Sequence, residues 1–333
     1  MHDNIRQKFV LIEGLGFSGS GAVLDLLREV DNCFVMPTEF RLINDPDGLL
    51  SLERALIDNW TVFQGDTALK RFRSLCNALT NKFSSPYSTL NHKKIFSKEF
   101  LPAVDRYLNK LTKLEFNGLW YGNDTYLRRK LIGRRFIGRN KFTTRKMYLA
   151  NDLKEDEFYK YTSDFLIELA SLCISEKRAN RIVIDGDYSV LNAKSVLNYF
   201  PSGKMILVIR DPRDILATVR KGMGAFIPNE FRKNIQWQLS IYNRLIKNFL
   251  PLSKKQCLII RFEDMICNYD EIRKGIFSFL NIDAKTHNNK YQYFNPKYSK
   301  KNVGIWTDCL TIEESDLVIS YFEDINKIIK VIH

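Results

Sequence analysis

The chain opens on an apolar run, Phe9 to Ile12, followed by a glycine-rich turn over 14–21. From there the apolar positions change period: Ala22, Val23, Leu26, Leu27 and Val30 share one face of a helix, and Asp25, Arg28 and Glu29 lie opposite. A short apolar run, "CFVM" at 33–36, closes the unit, so the pattern predicts a strand near 9–12, a helix over about 20–30 and a second strand, a β-α-β start. Between about 45 and 178 the pattern becomes one of long helical segments rich in aromatic residues and Lys/Arg. This stretch reads as a helical insertion over the sheet's edge. Sheet-like runs return at "RIVID" 181–185, "KMILVIR" 204–210 and "CLIIRF" 257–262, each suited to a buried parallel strand. Helical patterns over roughly 189–199, 213–221, 230–249 and 269–280 separate and follow them. Strand and helix in alternation predict an α/β doubly wound sheet. No internal repeat, low-complexity tract or linker divides the chain, so 1–333 is expected to be a single domain carrying the 45–178 insertion.

Composition sharpens this picture in three places. The chain has 333 residues, 45% hydrophobic and 27% charged, with a net charge of +13 that points to an anionic partner: nucleotide, nucleic acid, acidic glycan or lipid headgroup. No stretch approaches the roughly 18 consecutive apolar residues of a membrane span. The start "MHDNIRQKF" is polar and leads into a strand, so a cytoplasmic protein is expected. Cys33, Cys76, Cys173, Cys257, Cys267 and Cys309 are scattered with no C-x-x-C pair, which reads as buried thiols. The four histidines, His2, His92, His287 and His333, give metal or Ser-His-Asp chemistry little material.

Three motifs remain. In "LIEGLGFSGSGAVLDLLREV", 11–30, Gly14 and Gly19 have the spacing of a triphosphate-binding loop, G-x-x-x-x-G-K-[ST], but Ser20 and Gly21 stand where Lys and Ser/Thr belong. Backbone amides at the helix start, with Ser18 and Ser20, would still make a nest for an anion; a turn that simply needs glycines has the same look. In "ILVIRDPRDILATVRKG", 206–222, Arg210 ends a strand and Thr218 lies eight positions on, placed to reach one phosphate, although the Arg and Asp residues here could also pair among themselves. In "YSKKNVGIWTDCLTIEE", 298–314, a basic loop with a tryptophan precedes a helix that Thr311 caps with Glu314 three residues on. Surface lysines beside a core tryptophan are the plain alternative.

Taken in order, these pieces resemble the sulfotransferase family. "FSGSGA", 17–22, is similar to the family's [KR]-[ST]-G-[TS]-[TSG] loop, "VIRDPRDILAT" to its strand-end Arg with a hydroxyl eight residues later, "VLNYFPSGKMILVIRDPRD" to its Phe-Pro entry, "IIRFEDMICNYDEIRKGIFSFLNI" to its Tyr/Phe-Glu-Asp-Leu segment, and "SKKNVGIW" to its C-terminal nucleotide loop. The resemblance implies a P-loop-NTPase-like three-layer fold with a central parallel sheet. It also implies 3′-phosphoadenosine-5′-phosphosulfate (PAPS) as donor, 3′,5′-adenosine bisphosphate (PAP) as product, and no metal. Gly16, Phe17, Ser18, Gly19, Ser20, Gly21 and Ala22 would hold the 5′-phosphosulfate, and Arg210, Thr218, Lys300 and Lys301 the 3′-phosphate.

One departure stands out: Phe17 occupies the place of the loop Lys or Arg whose charge meets the departing sulfuryl group's bridging oxygen, and Arg41 and Lys300 are the cations that could replace it. Glu39, in "FVMPTEFRL", follows the second strand where carbohydrate sulfotransferases place a catalytic glutamate, and is the expected base; Asp185 and Asp187 come next, and His92 is a further alternative. Glu39 could instead be an exposed loop carboxylate or a partner for Arg41. The expected acceptor is a hydroxyl of a carbohydrate or glycolipid. A P-loop kinase or NTPase with an altered loop, and a nucleotide-binding adaptor without turnover, are the competing readings. "RRKLIGRRFIGRNKFTTRK", 128–146, holds nine basic residues and no acidic one: it either steers an anionic glycan or meets an acidic membrane surface peripherally, or is a solvated face. Its aromatic residues are too few for a nucleic-acid partner.

Overall fold

The computed structural model describes residues 8–80, 92–118, 144–174, 179–186, 188–222, 226–249 and 251–332, with side chains described up to 323. By internal contacts the chain forms two compact units, Met1–Arg41 with Ile174–His333, and Leu42–Cys173. In chain order the strands are β1 (Lys8–Gly14), β2 (Cys33–Val35), β3 (Thr112–Gly118), β4 (Arg145–Ala150), β5 (Arg181–Asp185), β6 (Lys204–Ile209) and β7 (Cys257–Arg261).

The first unit is built on a five-stranded parallel sheet of order β2-β5-β1-β6-β7. Its strands are near-continuous apolar runs because both faces are covered. Val10, Ile12, Val183, Ile206, Val208 and Ile260 join the core beneath helix α1 (Ser20–Arg28) and the helices Phe262–Cys267 and Tyr269–Leu280. Phe9, Leu11, Ile184, Met205 and Leu207 alternate with them and are equally buried on the other face, where the Phe9 ring meets Phe200 at 4.9 Å. Each such side chain contributes about 1.5–3 kcal/mol on burial. β1 lies at the centre, with the chain leaving it toward β2 on one side and returning to β6 on the other. Its carboxyl end is therefore the crevice where ligands bind in open α/β sheets. After β2 the chain runs on along β5, the Met36 amide donating to the Val183 carbonyl (2.9 Å) and the Phe40 amide to that of Asp185 (3.1 Å), which carries Glu39 and Arg41 to the same end of the sheet.

The second unit packs the helices Val62–Thr80, Phe100–Leu111 and Glu155–Ile174 around Phe72, Tyr107 and Phe165. The Tyr107 and Phe165 rings stack at 4.5 Å, and the Tyr107 and Thr162 hydroxyls share a hydrogen bond of 2.8 Å. An antiparallel β3–β4 ladder accompanies the helices, in a stretch whose sequence shows few convincing strands. β3 is largely solvent-exposed and carries a cross-strand ion pair, Glu115–Lys146 at 2.6 Å, so its period-2 apolar signal is weak. Of the basic segment 128–146, residues 128–143 lie outside the described residues, as do His2, His333 and Asp187. No described helix is long and apolar enough to cross a membrane.

Thr311 and Glu314 form the expected capping box at the last helix, Ile312–Ile332: the Thr311 amide donates to Glu314 Oε2 and the Glu314 amide to Thr311 Oγ1, both at 3.2 Å. Glu314 also takes two hydrogen bonds from Arg220 (2.8 and 2.6 Å), which hold its carboxyl below the usual carboxylate range. A depressed folded value means the stabilisation is complete above the ordinary value of 4.5 and is lost as pH falls through the folded one. Glu314→Gln should lower urea stability at pH 7 by about 1 kcal/mol, and its difference from the wild type should narrow as pH is lowered below that ordinary value.

Candidate functional site

The turn after β1 is shaped by two backbone constraints. Gly19, with φ 88°, ends the loop in the left-handed region, and a Cβ there would lie 2.3 Å from the Phe262 ring. Gly16 lies under Tyr188, Phe226 and Ile227; its amide donates to the Tyr188 hydroxyl at 2.8 Å, and a Cβ would meet all three within 2.9 Å. The Ser18 amide closes the turn on the Leu15 carbonyl (2.8 Å). α1 then starts with no acidic residue in its first turn and no side-chain cap. Among the described residues the amides of Gly19, Ser20 and Gly21 have no partner, and the buried Ser18 hydroxyl has none either. Uncapped amides at the positive end of a helix dipole, with a buried hydroxyl beside them, make a site for an anion.

Arg210, one residue past β6, is the second element. It is buried, and its Nη1 donates to the Phe17 carbonyl (3.0 Å) and to Thr218 Oγ1 (3.3 Å), while Nη2 donates to the Asn302 carbonyl. Among the described residues its Nε is buried with no partner. The Thr218 hydroxyl donates in turn to the Asp214 carbonyl (2.7 Å). Burial pushes the Arg210 guanidinium below its ordinary value, against the pull of Asp214, Glu263 and Asp211. The self-pairing that the motif allowed is made by its neighbours, Asp211 capping the Arg213 amide (2.9 Å) and pairing with that side chain at 2.6 Å. Asp214 accepts from the amides of Gly304 (2.8 Å) and Trp306 (3.1 Å), and burial pushes its carboxyl upward. The Arg213 guanidinium lies over the Trp306 ring at 4.0 Å. Residues 302–306 are thereby docked on the helix Pro212–Arg220.

Two cavities open on the loop. One, about 410 Å³, is lined by Phe17, Gly19, Arg210, Phe262, Tyr293 and Asn302, among others that include Ala22. The other, about 670 Å³, is lined by residues 14–21 with Glu39, Arg41, Asp185, Tyr188 and Phe226. Phe17 and Gly19 face both. Phe17 itself holds a left-handed backbone, φ 64°, and stacks on Phe226 with ring centroids 5.4 Å apart. Arg41 donates to Glu39 Oε2 at 3.0 Å, so Glu39 and Arg41 reach the second cavity as an ion pair.

Of the residues expected from sequence, the structure gathers the loop with Arg210 and Thr218, and the loop with Glu39, Arg41 and Asp185. Lys300 and Lys301 are exposed on the turn Lys300–Asn302 and line neither cavity; the contact from that turn to Arg210 is the Asn302 carbonyl. His92 belongs to the second unit, where its ring is buried against Phe96 and Phe100 at 5.5 Å each. Tyr188, Phe226, Phe262 and Tyr293 were not foreseen. Phe262 had two signals, as the last residue of the apolar run 257–262 and as the aromatic of the segment similar to the family's Tyr/Phe-Glu-Asp-Leu; the others lie in irregular segments and reach the site only through the fold.

Residues 98–286, more than half of the chain, match the model of the sulfotransferase family. The chain belongs to the sulfotransferase family, whose members transfer sulfuryl groups. The match contains Arg210 and Thr218 but not the glycine loop. Among solved structures the chain is similar to the sulfotransferase STF9 from Mycobacterium avium (12% identity, TM-score 0.42, covering 97% of this chain and 77% of that one). It is similar also to the sulfotransferase domain of the Synechococcus PCC 7002 olefin synthase (12%, 0.44, 95% and 94%) and to the sulfotransferase domain of the curacin biosynthetic pathway (12%, 0.39, 95% and 97%). No curated protein matches.

The Gly19 geometry yields a direct test. Gly19→Ala should cost at least about 1–2 kcal/mol in urea unfolding from the left-handed backbone alone. It should also abolish anion binding at the loop, read as loss of the thermal stabilisation that added pyrophosphate gives the wild type.

Proposed function

We propose that the protein transfers the sulfuryl group of PAPS to a hydroxyl of a carbohydrate or glycolipid acceptor. The observation that carries the reading is a loop of donors unpartnered among the described residues, the amides of Gly19, Ser20 and Gly21 with the Ser18 hydroxyl, which lines the larger cavity and through Gly19 also faces the smaller cavity that Arg210 lines. A bisphosphorylated nucleoside fits this donor set: the loop suits its 5′ end, and Arg210 with Thr218 its 3′-phosphate. Phe262 and the exposed Tyr293 line the same cavity as Arg210 and would supply aromatic surface to the nucleoside. Lys300 and Lys301, exposed on the turn that Arg210 anchors, add positive potential at the entrance.

Bound PAPS supplies an activated sulfuryl group carried on its 5′-phosphate. Glu39 takes the proton from the acceptor hydroxyl as that oxygen attacks. Arg41, paired with Glu39, supplies the positive charge that Phe17 does not, and the loop amides hold the negative charge left on the phosphate. Positioning of the two partners across Phe17 and Gly19 accounts for much of the acceleration.

Calorimetric titration tests the donor site. PAP should bind the wild type tightly and Mg-ATP should not match it; Arg210→Ala should weaken PAP by about 10- to 100-fold, since hydrogen bonds to a charged group are each worth about 1.5–3 kcal/mol. Preference for Mg-ATP would overturn the reading. Glu39→Gln should leave PAP affinity unchanged and lower kcat by about 10²- to 10⁴-fold; unchanged turnover would remove Glu39 as the base.

A further inference from the structure

The larger cavity has two chemically distinct sides. Phe17, Tyr188 and Phe226 present aromatic surface, and Glu39, Arg41 and Asp185 present charge. The aromatic side is a built feature. Phe17 is held in a left-handed backbone and stacked on Phe226, with the ring planes 20° apart. Phe226 and Tyr188 in turn press on Gly16, where no side chain would fit beneath them. Tyr188 also has a left-handed backbone, φ 66°, and its ring meets Trp237 edge-on at 6.3 Å. Left-handed backbone at two bulky residues costs energy that surrounding contacts must repay, and here both strained residues lie on one wall of one cavity. Phe226 nevertheless remains 63% exposed, so a large part of its surface is open to a ligand.

We infer that Phe226, backed by Phe17, is a platform that sets acceptor specificity by stacking on the apolar face of a pyranose ring. This rests on the proposed sulfuryl transfer and names the acceptor chemistry of that site. A pyranose has what the cavity asks for: one face of C–H groups that complements the negative face of an aromatic ring, and a rim of several hydroxyls. A flat phenol offers only one hydroxyl to a polar side holding two carboxylates and a guanidinium. About 670 Å³ accommodates a sugar-sized ligand. Phe17 thus exchanges the loop's cation for acceptor-binding surface, while Arg41 brings charge to the same cavity.

The test is saturation-transfer NMR on the full-length protein, with and without saturating PAP, using the methyl glycosides of β-D-galactose, β-D-glucose and α-D-mannose, with 4-nitrophenol as the flat control. At least one glycoside should show saturation concentrated on the C–H groups of one ring face. Phe226→Ala should weaken it about fivefold, the scale of one aromatic contact, and Phe226→Trp should restore it. Phe226→Trp, which keeps an aromatic ring over Gly16 and Phe17, should bind PAP within about twofold of the wild type, and the glycoside effect of Phe226→Ala is read without PAP, because that substitution also uncovers the donor loop. Saturation unaffected by either substitution, binding of 4-nitrophenol alone, or no glycoside binding would each overturn the platform. Failure of the donor reading would appear separately, as absent PAP binding in the wild type.

Discussion

The site depends on a guanidinium that, among the described residues, has no carboxylate directly on it. Arg210 spends its hydrogen bonds on two main-chain carbonyls, from Phe17 in the loop and Asn302 in the C-terminal turn, and on the Thr218 hydroxyl. Carbonyls hold a cation in place without cancelling its charge. A nearby carboxylate would have secured the same geometry and left less attraction for a phosphate. The acids of this segment are engaged elsewhere: Asp211 with Arg213, Asp214 with the amides of Gly304 and Trp306, and Glu263 with the Asp211 amide at 2.8 Å. Arg210 is thus both the tie between three segments and the remaining positive charge at the strand end.

Much of this was legible in the chain. The sheet's strands are apolar runs that stay apolar because both faces are buried, and the glycine turn could be read as an anion site because an uncapped helix start has few other uses. The Arg210 to Thr218 spacing survives folding as a hydrogen bond of 3.3 Å, because a strand end, a proline-initiated turn and two helical turns bring the positions together. The aromatic residues escaped notice for a physical reason. Tyr188 and Phe226 belong to irregular segments, with no periodicity to reveal which surface they face, and their role comes from contact with Gly16, 172 residues from Tyr188. The lysines of the C-terminal turn show what a sequence leaves undetermined. The resemblance placed Lys300 and Lys301 at the 3′-phosphate; in the structure the contact from that turn to Arg210 is the Asn302 carbonyl, with Lys300 and Lys301 exposed beside it.

Phe17 shows how one substitution can be absorbed by a fold. The loop tolerates a bulky residue at positive φ because Phe226 covers it, and charge can enter the same cavity from Arg41, carried there by backbone bonds along β5. Loop conformation, aromatic surface and charge are supplied by three different parts of the sheet's carboxyl edge.

A last consequence concerns α1. Its first turn frames the anion site, and just past its last residue the buried Glu29 accepts from the amides of Tyr293 (2.9 Å) and Phe294 (2.8 Å) and pairs with His287 at 2.7 Å. An acidic residue at a helix C-terminus opposes the dipole, and those donors offset the cost. The nine-residue helix therefore works as a ruler, fixing about 13 Å between the glycine-loop end of the smaller cavity and the tyrosine-bearing segment along its wall. Adding or removing a single residue would turn one end by about 100° against the other. The span of ligand that the cavity accepts is thus written in the length of one helix.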